Sequence, residues 1–304
     1  MLHRVPAICA ALALIITPVW LFATNPAVAR SHPLLPSLLL AALVIGLAVA
    51  VLTVRAGRRR RGPQGRRRSP VSAGIGALVA IGLMAALAWL EPFALTDEQG
   101  GAAGVSLVNV DLIEDATSIT LAPTGGATRG LVFYPGARVE ALAYVPLLSR
   151  VAQEGTVVVV LKEPLGISLL QPGQARSALE AHPGIGRWVA GGHSLGGVAA
   201  SAFASGNDAV DGLLLWASYP LDDLSASGLD VLSVSGSQDR LTTPADVGAS
   251  RNSLPAGARF TEISGAVHAF FGDYGDQPGD GVAGTDRRDA QDGIVEATNE
   301  FLAH

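Results

Sequence analysis

Residues 187–200 read RWVAGGHSLGGVAA, and the interpretation of the whole chain begins from this stretch. A short apolar run leads into the motif Gly192-x-Ser194-x-Gly196, and small residues typical of a closely packed helix follow. A serine at a sharp corner between a strand and a helix has backbone packed close to it, which requires glycine on both sides. The stretch therefore predicts a strand, an exposed serine and a helix, in that order.

The predicted corner also places the Ser194 hydroxyl at the N-terminus of a helix. Free N–H groups and the helix dipole stabilise negative charge on a reacting oxygen at such a position. Gly-rich chains contain this motif by chance, and the simpler interpretation is a glycine-rich turn with an N-cap serine. We favour a nucleophilic serine because the strand and the helix that the motif requires flank it on its two sides.

Charge is divided unevenly along the 304-residue chain. Residues 1–90 contain ten Arg and no Lys, Asp or Glu, and the remainder contains 11 Lys+Arg and 26 Asp+Glu, so the two parts carry +10 and −15 and give the formal net charge of −5. Such asymmetry indicates two environments rather than one globule. Cys9 is the only cysteine, which excludes an intrachain disulfide and leaves the redox compartment open.

Three uncharged apolar stretches predict a membrane anchor. Residues 5–24, 34–54 and 71–90 each have the length of about twenty residues that a transmembrane helix needs. Residues 55–70 form a short loop with eight arginines, which the positive-inside rule places in the cytoplasm and which we interpret as topological rather than as a nucleic-acid site. The third span then exits outward, so residues 91–304 are predicted to be extracytoplasmic, with the lipid bilayer as a partner.

Two further features of the anchor bear on its role. Ala27-Val28-Ala29 resembles a signal-peptidase site, so cleavage of the first span is an alternative to its retention, although the length of the apolar run favours retention. None of the three stretches contains an acidic residue, His or Lys that would mark an ion path. We therefore expect a multi-pass anchor in the cell membrane rather than a transporter.

The remaining chain predicts one α/β domain. Residues 91–104 are polar and Gly-rich and are interpreted as a linker, which leaves residues 105–304 for the domain. Alternating strand and helix patterns predict a mainly parallel sheet with helices on both faces. The predicted strands are 105–110, 118–122, 130–134, 156–161, the run before Ser194, 212–217, 229–235 and 259–263, and the predicted helices are 139–153, 174–181, the run after Ser194, 244–253 and 287–303.

Three residue types that cooperate in acyl transfer follow ends of predicted strands. Ser194, Asp239 and His268 come in that order along the chain, and reactive groups gather at the carboxyl ends of the strands in parallel sheets. A serine hydroxyl needs an imidazole to take its proton, and the imidazole needs a carboxylate to fix its tautomer and stabilise its charge. A surface histidine and a structural turn aspartate are the competing interpretations.

Acyl transfer also requires donors for the oxyanion of the tetrahedral intermediate. The backbone N–H of Leu195, immediately after the proposed nucleophile, is one candidate. The second is expected from the loop after an early strand, residues 134–138, where we choose the N–H of Ala137.

The segments FYPGARVE, GGHSLGG, GSQD and VHAFFGDYGD together resemble bacterial α/β-hydrolases of the dienelactone-hydrolase-like group. The resemblance covers roughly residues 105–303 and implies the α/β-hydrolase fold and a triad of Ser194, Asp239 and His268. Dienelactone hydrolases proper use a cysteine nucleophile, whereas position 194 is serine. This departure favours cleavage of esters or thioesters over dienelactone chemistry.

The resemblance also bears on the substrate pocket and on an acidic loop. The connection between Trp216 and Leu229 is too short for the inserted lid of many lipases, which implies an open pocket with Tyr219 and Phe270 as its walls. The carboxylates of the acidic loop, Asp273, Asp276 and Asp280, could hold a cation, but we favour a solvated loop and expect no metal and no cofactor.

Together these features predict a membrane-anchored serine hydrolase that acts on a small-molecule ester. The alternative is a catalytically silent module with the same fold, which binds an envelope component or a partner. Esterase, thioesterase and acyltransferase use the same acyl-serine chemistry, so the sequence leaves the choice among them open, as it does the natural substrate and the oligomeric state.

Overall fold

The computed structural model describes residues 5–59, 70–96 and 107–304. These residues belong to two compact units, Met1–Pro92 and Phe93–His304. Most of the arginine-rich loop, residues 60–69, and most of the predicted linker, residues 97–104, lie outside the described residues, so both interpretations stay predictions.

The N-terminal unit is helical. It contains α1 (Val5–Thr24), α2 (Ala27–Arg30), α3 (Leu34–Arg59) and α4 (Pro70–Trp89). Within the described residues, Ala7–Thr24 and Leu34–Ala56 are long and apolar enough to cross a membrane. Side chains such as Val44 and Leu52 are exposed on the outer surface of α3, as lipid-facing side chains are. The described apolar part of α4, Leu78–Trp89, is shorter, so a third span stays a prediction.

The second unit is built on a sheet of eight strands. The spatial order is β1-β2-β4-β3-β5-β6-β7-β8. Strand β2 is antiparallel to both of its neighbours, and every other pair of neighbours is parallel, which confirms the expected mainly parallel sheet. The strands are β1 (Val110–Glu114), β2 (Ser118–Pro123), β3 (Arg129–Tyr134), β4 (Thr156–Leu161), β5 (Arg187–His193), β6 (Gly212–Trp216), β7 (Asp230–Gly236) and β8 (Arg259–Ile263).

Helices cover this sheet on both faces. Alternate residues of β4 point to opposite sides, as the period of a strand requires, so that Val158 and Val160 belong to one apolar core and Val157 and Val159 to the other. Helices α5 and α9 pack into the first core, and α6 and α7 into the second. The helices are α5 (Val145–Gln153), α6 (Arg176–Ala181), α7 (Leu195–Ser205), α8 (Pro244–Ser250) and α9 (Arg287–Ala303).

Two predicted elements differ from the structure. Residues 105 and 106 of the predicted strand 105–110 lie outside the described residues. Over residues 107–110, strand β1 begins only at Val110, because Asn109 has φ 59 and the N–H of Val110 bonds the carbonyl of Leu107 in a turn. Asn is among the residues that tolerate this left-handed conformation. The helix predicted over 139–153 begins as α5 at Val145, since Pro146 fits the first helical turn, where its missing N–H has no partner to lose.

The segment Phe93–Thr96, predicted to be linker, belongs to the second unit. The N–H of Phe93 bonds the carbonyl of Arg138 at 2.7 Å, and the N–H of Glu140 bonds the carbonyl of Phe93 at 2.9 Å. The Glu140 carboxylate also accepts the N–H of Leu95 at 2.9 Å. These pairings place the start of the compact unit about a dozen residues earlier than the composition suggests.

Candidate active site

Ser194 lies at the corner between β5 and α7 with a strained backbone. Its φ is 54 and its ψ −124, a conformation that costs an L-residue about 1–3 kcal/mol and persists only where the surroundings enforce it. The N–H of Ser194 donates to the carbonyl of Trp216 at 2.9 Å, and its own carbonyl accepts the Ser218 hydroxyl at 2.7 Å. These bonds to the end of β6 and to the loop after it hold the corner.

The glycines around Ser194 have a steric cause. A Cβ at Gly192 would lie 2.3 Å from the carbonyl carbon of Gly196, and a Cβ at Gly196 would lie 2.1 Å from the carbonyl oxygen of Tyr134. At Gly197 a Cβ would lie 2.4 Å from the Ser218 hydroxyl. The structure thus confirms that the glycines of the motif are required by close backbone approach.

Asp239 and His268 form a buried pair. His268 Nδ1 lies 2.8 Å from Asp239 Oδ2, and their side chains are 1% and 0% exposed. The other carboxylate oxygen accepts the N–H groups of Leu241 and Thr242, each at 2.8 Å. An ionised carboxylate can only accept, so we assign the imidazole proton to Nδ1. His268 Nε2 then has a free lone pair, and it has no hydrogen-bond partner among the described residues.

The two N–H groups expected to bind an oxyanion come from adjacent backbone segments. Leu195 is the first residue of α7, where an N–H has no intrahelical acceptor. A Cβ at Gly196 would also lie 2.3 Å from the carbonyl oxygen of Pro135, so the start of α7 packs directly on the loop that carries Ala137. The two backbone segments therefore adjoin each other at the serine corner, and the role of both N–H groups as oxyanion donors stays a prediction.

A family model for the alpha/beta hydrolase family matches residues 130–292, more than half of the chain. The chain belongs to the alpha/beta hydrolase family. The crystal structure of a predicted CIB-like hydrolase from Thermoplasma acidophilum is similar to this chain, with a TM-score of 0.47 and 19% sequence identity over 64% of this chain and 96% of that chain. The comparison with curated proteins gives no match.

A second histidine of this hydrolase, His193, packs against His268. Their ring centroids are 4.5 Å apart, and the Tyr144 hydroxyl lies 2.8 Å from His193 Nδ1 and accepts the N–H of Gly136 at 2.9 Å. Burial, and then the neighbouring His268, lower the pKa of His193 well below its ordinary value. His193 is therefore a neutral packing partner of the candidate base.

The hydrolase domain also buries a carboxyl group to which the sequence analysis assigned no role. Glu163 follows β4 and is 5% exposed, and neither carboxyl oxygen makes a hydrogen bond of normal geometry to a described residue. Burial raises the pKa of Glu163 well above its ordinary value, although the backbone N–H of Ser168 opposes this shift. The signal in the sequence was an acidic residue two positions after a strand that contains four consecutive valines.

This raised pKa makes the stability of the hydrolase depend on pH. Because folding raises the pKa of Glu163 above its ordinary value of 4.5, the unfolded chain loses this proton at lower pH than the folded domain does, so folding stability is lost as the pH rises above about 4.5, by up to about 1.4 kcal/mol per pH unit. We expect Glu163→Gln, which cannot ionise, to gain thermal stability relative to the wild type between pH 5 and pH 8. Thermal unfolding of both proteins across this range measures the difference.

The control for this prediction is Glu180→Gln, at an exposed position of α6. Its melting temperature should follow that of the wild type at every pH. Parallel curves for Glu163→Gln and the wild type would mean that the Glu163 carboxyl is ionised in the folded hydrolase.

The two residues expected to line a pocket have different surroundings. Phe270 is 8% exposed and lies in a small apolar cluster with Val267 and Ala290, under the Arg287 guanidinium at 4.8 Å from the ring centroid. Tyr219 is half-buried on the loop after β6. Phe270 thus has a packing role, and pocket roles for both residues stay predictions.

The acidic loop does not form a metal site in the described part of the chain. No group of three or more His, Cys, Asp or Glu side chains there could hold a metal ion. Asp280 accepts backbone N–H groups, Asp273 accepts the side-chain amide of Gln291 at 2.9 Å, and Asp276 is exposed. The three carboxylates therefore have separate surroundings.

Proposed function

We propose that this hydrolase uses Ser194 as a nucleophile to cleave carboxylic esters or thioesters, with His268 as the base and Asp239 as its carboxylate partner. The observation that carries the proposal is the buried Asp239–His268 pair. Its imidazole nitrogen Nε2 has no hydrogen-bond partner among the described residues. A triad of this kind needs an imidazole held at one nitrogen and free at the other. The resemblance to the dienelactone-hydrolase-like group supports the same assignment.

The proposed reaction has two steps that use the same groups. His268 Nε2 takes the proton of the Ser194 hydroxyl while the oxygen attacks the ester carbonyl, and the N–H groups of Leu195 and Ala137 stabilise the oxyanion. Collapse of the tetrahedral intermediate breaks the bond to the leaving oxygen or sulfur, which receives the proton from His268. Water then attacks the acyl-serine with His268 as the base, releasing the acid and restoring the serine.

We further propose that the domain is anchored to the cell membrane and faces away from the cytoplasm. Two apolar helices long enough to span a bilayer precede it in the chain. The arginines of residues 55–70 support a cytoplasmic position for that loop. With α4 as a third span, the hydrolase domain lies on the outer side.

Exposed aliphatic side chains on the loops after strands β4, β6, β7 and β8 support a preference for esters with an apolar part. The Ser168 hydroxyl donates to the carbonyl of Leu195 at 3.2 Å, which places the neighbouring turn beside the serine helix. On the loop after β7, the N–H of Leu241 donates to the Asp239 carboxylate, so this residue lies close to the Asp239–His268 pair. We name these exposed side chains the apolar rim. It consists of Leu169, Leu170, Leu221, Leu241 and Val282.

The rim predicts a preference that can be measured. Leu170→Asn should lower kcat/KM for p-nitrophenyl butyrate by about threefold, as expected from partial loss of contact with one or two methylene groups, and should leave the acetate ester nearly unaffected. Ile113→Asn, at an equally exposed position on β1, is the control and should change neither value. Equal losses for both esters in Leu170→Asn would argue against contact between the rim and the acyl chain.

The proposal itself is tested with the full-length protein in detergent. We expect turnover of p-nitrophenyl esters and covalent labelling by a fluorophosphonate, with Asp239→Asn retaining the fold and losing most turnover because the imidazole then adopts the wrong tautomer. Folded protein that neither hydrolyses these esters nor reacts with the probe would favour the alternative, a silent module that binds an envelope component or partner.

A further inference from the structure

The backbone that carries His268 is held by a carboxylate twelve residues further along the chain. Asp280 Oδ1 accepts the N–H of His268 at 3.1 Å, and Asp280 Oδ2 accepts the N–H of Ala269 at 2.8 Å. Val267, which precedes this short helical turn, provides no side-chain cap. Asp280 thus supplies from a distance the acceptor that the turn lacks locally.

Arg287 holds the other end of the same turn. Its Nη1 donates to the carbonyls of Ala269 and Gly272, each at 2.8 Å, and its guanidinium covers the ring of Phe270. A negative group therefore meets the N–H end of the turn and a positive group meets its carbonyl end. Both charges complement the dipoles of the peptide groups between them.

The residue after Asp280, Gly281, contacts the loop that carries Asp239. A Cβ at Gly281 would lie 1.7 Å from the carbonyl oxygen of Gln238, the residue before Asp239. The N–H of Gly281 also donates to Asp280 Oδ1 at 2.6 Å. The dipeptide Asp280-Gly281 is therefore in contact with both loops that provide the Asp239–His268 pair.

We propose that Asp280 is a positioning residue for His268, which fixes the imidazole between Asp239 and Ser194 and stabilises the imidazolium formed during acyl transfer; this inference rests on the proposed function. Asp280 does not reach the imidazole ring itself, since its bonds are to backbone N–H groups. Its effect is exerted through the orientation of the turn and through its negative charge.

The negative charge of the Asp280 carboxylate should affect the pH dependence of catalysis, which can be measured. Removing the carboxylate of Asp280 takes away a negative charge near the imidazole, so we expect the acidic limb of kcat/KM to move to lower pH. The titratable and charged groups around His268 that the comparison must leave unchanged are Asp239, His193, Tyr144, Tyr274 and Arg287.

The experiment compares Asp280→Asn and Asp280→Ala with the wild-type full chain, using p-nitrophenyl butyrate. We expect kcat per active site to fall about tenfold in Asp280→Asn and about a hundredfold in Asp280→Ala, as for a displaced catalytic group, with KM nearly unchanged. The acidic limb should move to lower pH in both variants. Titration with the fluorophosphonate counts the competent sites, so that a folding defect does not count as a loss of kcat.

Asp276→Asn, an exposed change in the same loop, is the matched control and should behave as the wild type in every measurement. Asp280 variants with wild-type kcat per labelled site, or with an acidic limb that stays in place, would overturn this inference while leaving the proposed function intact. A wild-type chain that neither labels nor hydrolyses would overturn the proposed function and this inference with it.

Discussion

Ser194→Ala is expected to lower kcat for p-nitrophenyl butyrate by about 10⁴- to 10⁶-fold and to abolish labelling by a fluorophosphonate. The reason is that alanine lacks the hydroxyl that the proposed mechanism uses as its nucleophile. Alanine also has a Cβ, so the strain at φ 54 is the same in both proteins and the fold should persist. Stopped-flow or steady-state kinetics of hydrolysis at several enzyme concentrations measure the residual rate.

His268→Ala should lose nearly as much activity as Ser194→Ala, and the double variant should lose little more than either single variant. This non-additivity follows because the imidazole acts only through the serine. Additive losses would show that the two residues act independently and would contradict a triad. Ser205→Ala, at an exposed position at the end of α7, is the control and should retain full activity.

Gly196→Ala is expected to destabilise the hydrolase domain by at least about 3 kcal/mol, the upper end of the usual cost of overpacking, and to remove most activity. The new Cβ would lie 2.1 Å and 2.3 Å from the carbonyl oxygens of Tyr134 and Pro135. Both atoms are backbone, and Tyr134 ends the central strand β3, so neither can turn aside as the end of a flexible side chain would. Thermal or urea unfolding of the two proteins gives the difference.

Gly248→Ala provides the matched control, because Gly248 also lies within a helix, α8, and a Cβ there would meet nothing within 4 Å. Alanine favours a helix by up to about 1 kcal/mol over glycine, so this variant should be as stable as the wild type or more stable. If Gly196→Ala had the same melting temperature as the wild type, the predicted clash between the new Cβ and the loop after β3 would be wrong.

Much of the fold follows from local sequence patterns. The apolar run of α1, the β-branched strand β4 and the periodic helix α9 occur where their patterns predict them. Strand β1 was misplaced because Asn109 and the turn before it override the apolar run, and such turns carry little signal in a single sequence. The pairing of Phe93 with Arg138 was missed because the two residues lie 45 positions apart and their hydrogen bond joins backbone atoms, which leave no side-chain signal in the sequence.

The sequence alone determined the serine corner, because a strand pattern and a helix pattern adjoin Gly192-x-Ser194-x-Gly196 and a Cβ at Gly192 would meet the backbone of nearby Gly196. It also determined the order of Ser194, Asp239 and His268. Only the tertiary structure decided that Asp239 and His268 meet at 2.8 Å, that Asp280 binds the histidine turn, and that Glu163 is buried without a good partner. These features depend on loops that follow the carboxyl ends of different strands. How those loops meet depends on how all the strands and helices pack.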